Sequence, residues 1–322
     1  TRFLLSKGFS VHQVMLVPDL DSRTIQGALA ANMELAAYTQ KQVDQFLTDL
    51  DTLRVQRAYR YPRSSEHVDT IADLTRSLME KGLAYDKLRS VYFDLSKSKD
   101  YGALSRVNLK KIRLGSTVDL DAYEKLNPRD LALLKRATLA ELKRGMCMKT
   151  DWGNVLPTWH IASVAVALHD LGAPIDIQVS SVDFLFPHLE NVKEIGESLT
   201  GKSFANVWMV TERMWSNKDE KVQNGIDETL SLRELAARGF TPLEIRYWLL
   251  STHYRKPIHA NEENLENAVR GYHRLKEFIR RVRHAQSGTE EHKLISEMVY
   301  ALEHNFSDAL ADDPNLPNAL AG

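Results

Sequence analysis

Apolar residues recur at helical spacing along several stretches of the chain. Phe46, Leu50 and Leu53 form one stripe; Val68, Ile71, Thr75 and Leu78 form another, which the spacing reads as a helix from near Ser64-Ser65 to Gly82. Asn127-Pro128 reads as an N-cap with proline in the first turn of a helix closed by Gly145. A helical pattern from Trp159 to Leu171 stops at Gly172, a residue that tolerates a left-handed cap. Thr241-Pro242-Leu243-Glu244 is a capping box, and Leu265, Ala268, Tyr272, Leu275, Ile279 and Val282 give a long amphipathic helix. Residues 290–311 give another through Ile295, Met298, Leu302 and Phe306.

Strand patterns are fewer. Val14-Met15-Leu16-Val17 reads as a strand, followed by Pro18-Asp19-Leu20-Asp21 and a long helix. The β-branched run Ile175-Asp176-Ile177-Gln178-Val179 reads as a buried parallel strand. After it, Ser180-Ser181-Val182 turns into Asp183, and a helix begins near Phe186-Pro187-His188. Helix, strand, loop and helix in this order build a crevice at a strand's carboxyl end, where α/β sheets hold ligands.

The stretch from Pro157 to Val192 also resembles the core of cysteinyl-tRNA synthetases, class I enzymes with a Rossmann-type catalytic domain. Their pattern is PGWHIECS, then DIHGGGSDLMFPHHENE; here it reads PTWHIAS, then DIQVSSVDFLFPHLENV. The resemblance implies an α/β fold: a Rossmann-type nucleotide-binding (HUP-like) core, an inserted α/β subdomain, and the start of an all-α helical bundle. The expected boundaries are 1–85 and 151–255 for the two parts of the core, 86–150 for the insertion and 256–322 for the bundle. Lys81 to Tyr85, Val91 to Asp94, Tyr101 to Ser105, and Ile245 to Arg255 match further family segments in order, so the likeness covers nearly the whole chain.

The chemistry the family places on these motifs is altered. The family selects cysteine with zinc; three ligand positions fall on Ser163, His188 and Val192, of which only His188 keeps a usual ligand. No metal is therefore expected there, with His188 a remnant. The GGG run that admits adenosine is Val179-Ser180-Ser181, which adds side chains where the backbone must approach closely. Asp183 keeps the family's aspartate, which would meet a ribose or cap the next helix. Trp159, His160 and Ser163 would line the amino-acid pocket, and Ser180, Ser181 and Asp183 the nucleotide site. A gapless count places KMSKS on Lys221 to Gly225, keeping the first lysine, Lys221, and replacing the second with Asn224, which carries no charge. The HIGH motif would lie upstream of Thr1, and the chain, opening on Thr1 and ending at Gly322 within a helical pattern, reads as an excerpt of a longer polypeptide.

Composition narrows the remaining classes. Hydrophobic residues at 43% and charged residues at 26% suit a globular protein of two domains, or one large one with an appendage. No apolar run approaches a membrane span and no signal-peptide pattern occurs, so a cytoplasmic location and no membrane partner are expected. The lone Cys147 excludes an internal disulfide and reads as an inert or surface thiol. A net charge of −1 makes any nucleic-acid surface local. One such surface is Arg270 to His284, with six Lys/Arg (Arg270, Arg274, Lys276, Arg280, Arg281 and Arg283) against Glu277. The family's bundle touches tRNA, so these cations are the expected RNA contacts, with a solvated helix face as the alternative.

Two functions follow. One is a degenerate synthetase paralogue that keeps the scaffold to bind or assemble, with tRNA or a protein as partner and without zinc or ATP as cofactors. The other is an active class I ligase that forms an aminoacyl-adenylate with another amino acid or serves another acceptor.

Overall fold

The structure, a computed structural model, describes residues 1–108, 127, 129–215, 230–285 and 293–321. The chain divides into two compact units. The first contains Thr1, residues 8–48 and 57–209; the second contains residues 2–7, 49–56 and 210–322.

After α1 (Arg2–Ser6) of the second unit come two helices, α2 (Ser22–Ala30) of the first unit and α3 (Leu35–Thr52), whose residues 49–52 belong to the second, where the sequence suggests one. The break falls at Asn32, whose φ of 50° is left-handed and incompatible with a continuous helix. Val14 and Val17 make parallel bridges to Arg60 and Arg63, so the expected strand is a pair of contacts. A 3-10 turn, Ser64–His67, leads into α4 (Val68–Glu80), with Gly82 beyond it at φ 67°.

An antiparallel sheet follows in the order β1 (Ala84–Lys87), β2 (Ser90–Phe93), β3 (Leu131–Arg136), β5 (Gly153–Pro157), β4 (Met148–Thr150). Here the helix expected from Asn127 to Gly145 is corrected. Asn127 accepts the amide of Arg129 in a local turn, β3 follows, and only α5 (Leu139–Lys143) is helical, capped by Thr138. Tertiary pairing decides this: Leu131 to Leu134 are buried between β2 and β5, and a central strand satisfies backbone groups on both edges.

The helix α6 (Trp159–Asp170) leaves β5 through Thr158, whose hydroxyl donates to the carbonyls of Ala132 and Leu133 instead of capping the helix. Gly172 stops it at φ 80°. Next come β6 (Ile175–Ser181), α7 (Glu190–Thr200) and β7 (Ala205–Thr211), with β6 paired to β7. The expectation of a buried strand holds only for Ile175; Ile177 and Val179 are exposed, because among the described residues β6 pairs with β7 alone. Side chains from α4, the antiparallel sheet, α6, β6 and α7 nonetheless share one core around Ile71, Phe93, Leu133, Ile161, Ile195 and Phe204.

The second unit holds β8 (Met214–Trp215) in parallel with β9 (Ile258–His259), then α8 (Leu232–Ala237) and α9 (Pro242–Leu250) with its capping box intact. The long helix α10 (Glu262–His284) buries Leu265 and Ala268 against Leu235, Ile245 and Trp248. The apolar stripe weakens beyond that: Ile279 and Val282 are exposed, as are Leu294 through Phe306 of α11 (Lys293–Ala311). The chain closes with α12 (Leu316–Ala321). Among the described residues no helix is long and apolar enough to cross a membrane.

Candidate functional site

The first turns of α6 and the turn after β6 bring the expected pocket residues together. Trp159 is the hub. Its ring centroid lies 4.4 Å from His188, 5.4 Å from Phe184 in an edge-on arrangement and 5.8 Å from His160. His160 and His188 stack at 5.9 Å, and Phe184 lies 5.7 Å from His188. Such offset and edge-on ring contacts hold the cluster without covalent or ionic ties.

His160 faces the sheet: its Nε2 sits 3.2 Å from the Ala132 carbonyl of β3, which fixes the Nε2–H tautomer as donor. His188 packs against the other rings, and its Nδ1 is buried without a hydrogen-bond partner among the described residues. Burial lowers its pKa from 6.5 to about 4, so the imidazole is neutral at physiological pH.

The three zinc-ligand positions implied by the family have separate surroundings here. The Ser163 hydroxyl donates 2.7 Å back to the Trp159 carbonyl of its own helix. Val192 is 2% exposed in the core and has no lone pair. Of the three positions only His188 carries a usual zinc ligand, a neutral imidazole beside Trp159 and Phe184.

Ser180 is the penultimate residue of β6, and Ser181, the last, caps the following 3-10 turn, its hydroxyl accepting from the Asp183 amide at 3.3 Å. Asp183 therefore lies inside that turn and does not cap α7, whose N-cap is Leu189. Val179, at a family glycine position, is 56% exposed, so its side chain projects where a glycine would leave the backbone bare.

A second polar arrangement escaped the sequence reading. Glu190, 1% exposed, accepts hydrogen bonds from the Ser105 amide and hydroxyl and from the Gly102 amide at 3.2 Å. Asn191 Oδ1 accepts from the Tyr101 hydroxyl at 2.6 Å, and the Tyr101 ring meets Phe186 at 6.2 Å. Burial, then the Glu190 charge, pushes the Tyr101 hydroxyl far above its ordinary range, so it remains a donor. The paired acid and amide at the start of α7 thereby clamp the turn from Tyr101 to Ser105 beside the ring cluster. Both halves match family segments, but only the fold reveals that they touch.

The other candidates lie apart. Lys221 and Asn224 fall outside the described residues. Burial raises the Cys147 thiol pKa, in keeping with an inert thiol. On α10, Arg280 forks onto Glu277 with two 2.8 Å bonds, and Arg281 Nε lies 3.1 Å from the same carboxylate. These cations hold Glu277 at about 2. Arg270 lies 3.6 Å from Glu266. Of the expected cations, Arg274, Lys276 and Arg283 are those without an ion pair among the described residues.

The family model for the class I (C) tRNA synthetase catalytic domain matches residues 1–270. A cysteine–tRNA ligase of Methanosarcina acetivorans is 38% identical over 318 residues, covering 97% of this chain and 67% of the relative. That of Methanosarcina mazei is 36% identical, with 99% and 68% covered. Among solved structures, Mycobacterium tuberculosis methionyl-tRNA synthetase bound by methionyl-adenylate superposes with a TM-score of 0.68 at 13% identity, over 98% of this chain and 74% of that one. At that identity the likeness speaks for the fold.

Proposed function

The chain belongs to the class I cysteinyl-tRNA synthetase family, and on that premise we propose that it is a degenerate member, retaining the synthetase scaffold to bind or assemble and no longer activating cysteine. What carries this reading is the fate of the three zinc positions. Ser163 is turned onto its own helix, Val192 is packed in the core, and His188 is largely buried and neutral. Val179 and Ser181 support it, since one places a side chain over a glycine position and the other spends its hydroxyl on a local cap. Of the two partner classes, RNA is favoured by the cations of α10 that lack an ion pair among the described residues, Arg274 first. Arg270, Arg280 and Arg281 would give up part of their contact to Glu266 and Glu277 to meet phosphates.

The test is cysteine-dependent ATP–pyrophosphate exchange by the full-length protein. Loss of one strong transition-state donor lowers rates on the order of a hundredfold or more, and several positions are altered here. Exchange with cysteine at a rate typical of synthetases overturns the reading. A second reading, an active ligase for another amino acid, draws support from the intact ring cluster of Trp159, Phe184 and His188. Rings without a metal suit an apolar side chain, so exchange driven by an apolar amino acid and not by cysteine would favour it.

A further inference from the structure

At the far end of α6 from the ring cluster, about 16 Å along a 12-residue helix, lies a different set of chemical groups. His67 ends the 3-10 turn before α4 and is buried; His169 and Asp170 close α6. One ligand atom from each of the three falls within 4.8 Å of the other two. The two imidazoles meet edge-on with centroids 4.9 Å apart. The Asp170 side chain is 2% exposed, and only one of its oxygens is engaged: Oδ1 is 2.8 Å from both Arg60 Nη1 and His169 Nδ1. Oδ2 is buried and has no hydrogen-bond partner among the described residues.

A buried carboxylate oxygen left without a donor is costly, and the carboxylate that carries it clusters with two imidazoles. We propose that His67, His169 and Asp170 form a binding site for one divalent transition-metal ion of the zinc class. Two imidazoles and one carboxylate are the donor set that zinc, cobalt and nickel accept, whereas magnesium and calcium require oxygen ligands. Three protein ligands leave a coordination position for solvent, which half-exposed His169 permits. Arg60 holds the non-ligating oxygen, as outer-shell donors do for metal-bound carboxylates. It also brings a positive charge close to the ion, so the site binds more weakly than a closed four-ligand one. The location assigns the ion a bracing role. Asp19 fixes the turn before α4 by accepting from the Ser65 amide at 2.9 Å, and the metal would join that turn to the end of α6.

The test is zinc titration by calorimetry of the untagged full-length protein after chelator treatment, with magnesium as control ion. One equivalent of zinc should bind, and magnesium should produce no comparable heat. His169→Ala, at a half-exposed position that the fold tolerates, should weaken zinc binding by tenfold or more, as should Asp170→Asn. Arg60→Gln, which removes the competing cation and leaves all three ligands, should tighten binding several-fold. His188→Ala should leave it unchanged, separating this site from the family's zinc position. Circular dichroism verifies that each variant is folded. Absence of a zinc equivalent in the wild type overturns the proposal, as does wild-type affinity in His169→Ala.

Discussion

Acidification should destabilise the first unit through His188, and the effect has a defined size. The imidazole titrates at 6.5 in an unfolded chain and at about 4 when buried among Trp159, His160 and Phe184. Because the folded-state pKa is depressed, the folded protein resists protonation that the unfolded chain accepts freely. The stability contribution is therefore constant above the unfolded value and is lost as pH falls from about 6.5 towards about 4, where the loss levels off. At 1.36 kcal/mol per unit, the full loss is roughly 3 kcal/mol; between about pH 7.5 and about pH 5 it is roughly 2 kcal/mol. Other groups titrate in the same range, His67 among them, whose pKa is lowered first by burial and then by the His169 charge. The comparison must therefore be a double difference. Urea unfolding of wild type and His188→Gln at both pH values gives four free energies, in which the common titrations cancel. The drop from about pH 7.5 to about pH 5 should be smaller in the variant by roughly 2 kcal/mol, whatever the substitution costs at neutral pH. Equal drops in both proteins would show that His188 is solvated or paired in the folded state and would refute its burial against the rings.

Other outcomes follow from the same geometry. Glu190→Ala strands the amides of Gly102 and Ser105 and should cost about 2–4 kcal/mol, with faster hydrogen exchange at residues 101–106; exchange unchanged there would refute the clamp. Val192→Glu restores the family's residue but sinks a carboxylate into a core position 2% exposed, so urea unfolding should show a loss of about 2–4 kcal/mol in zinc-free buffer. If α10 meets RNA, filter binding should weaken with salt at a log–log slope of roughly −0.7 to −0.9 per neutralised phosphate. Arg274→Glu should then weaken binding more than Arg281→Glu, because Arg281 is already tied to Glu277; salt-insensitive binding would make this helix a solvated face.

The sequence by itself determined the elements whose signals are local. Gly82 and Gly172 stop helices because each supplies a positive φ, and Thr241 and Glu244 close a capping box within three residues. The motif from Pro157 to Val192 identified the family, and Ser163 and Val192 marked the altered zinc positions before any distance was known. Contacts that span the chain were decided by the tertiary structure. Leu131 to Leu134 form a strand because β2 and β5 flank them, a pairing that overrides the helix start read at Asn127-Pro128. Residues 85 or more positions apart set the clamp of Glu190 on Ser105, and a hundred or more separate His67 from His169. Even on one helix the structure decides which of the six cations are paired: Glu277 holds Arg280 and Arg281, and Glu266 lies near Arg270. Periodicity and caps report the energy of a segment's own backbone and its apolar face. A buried charge or a ligand set depends on which segments the core brings together, and that is settled only when the core forms.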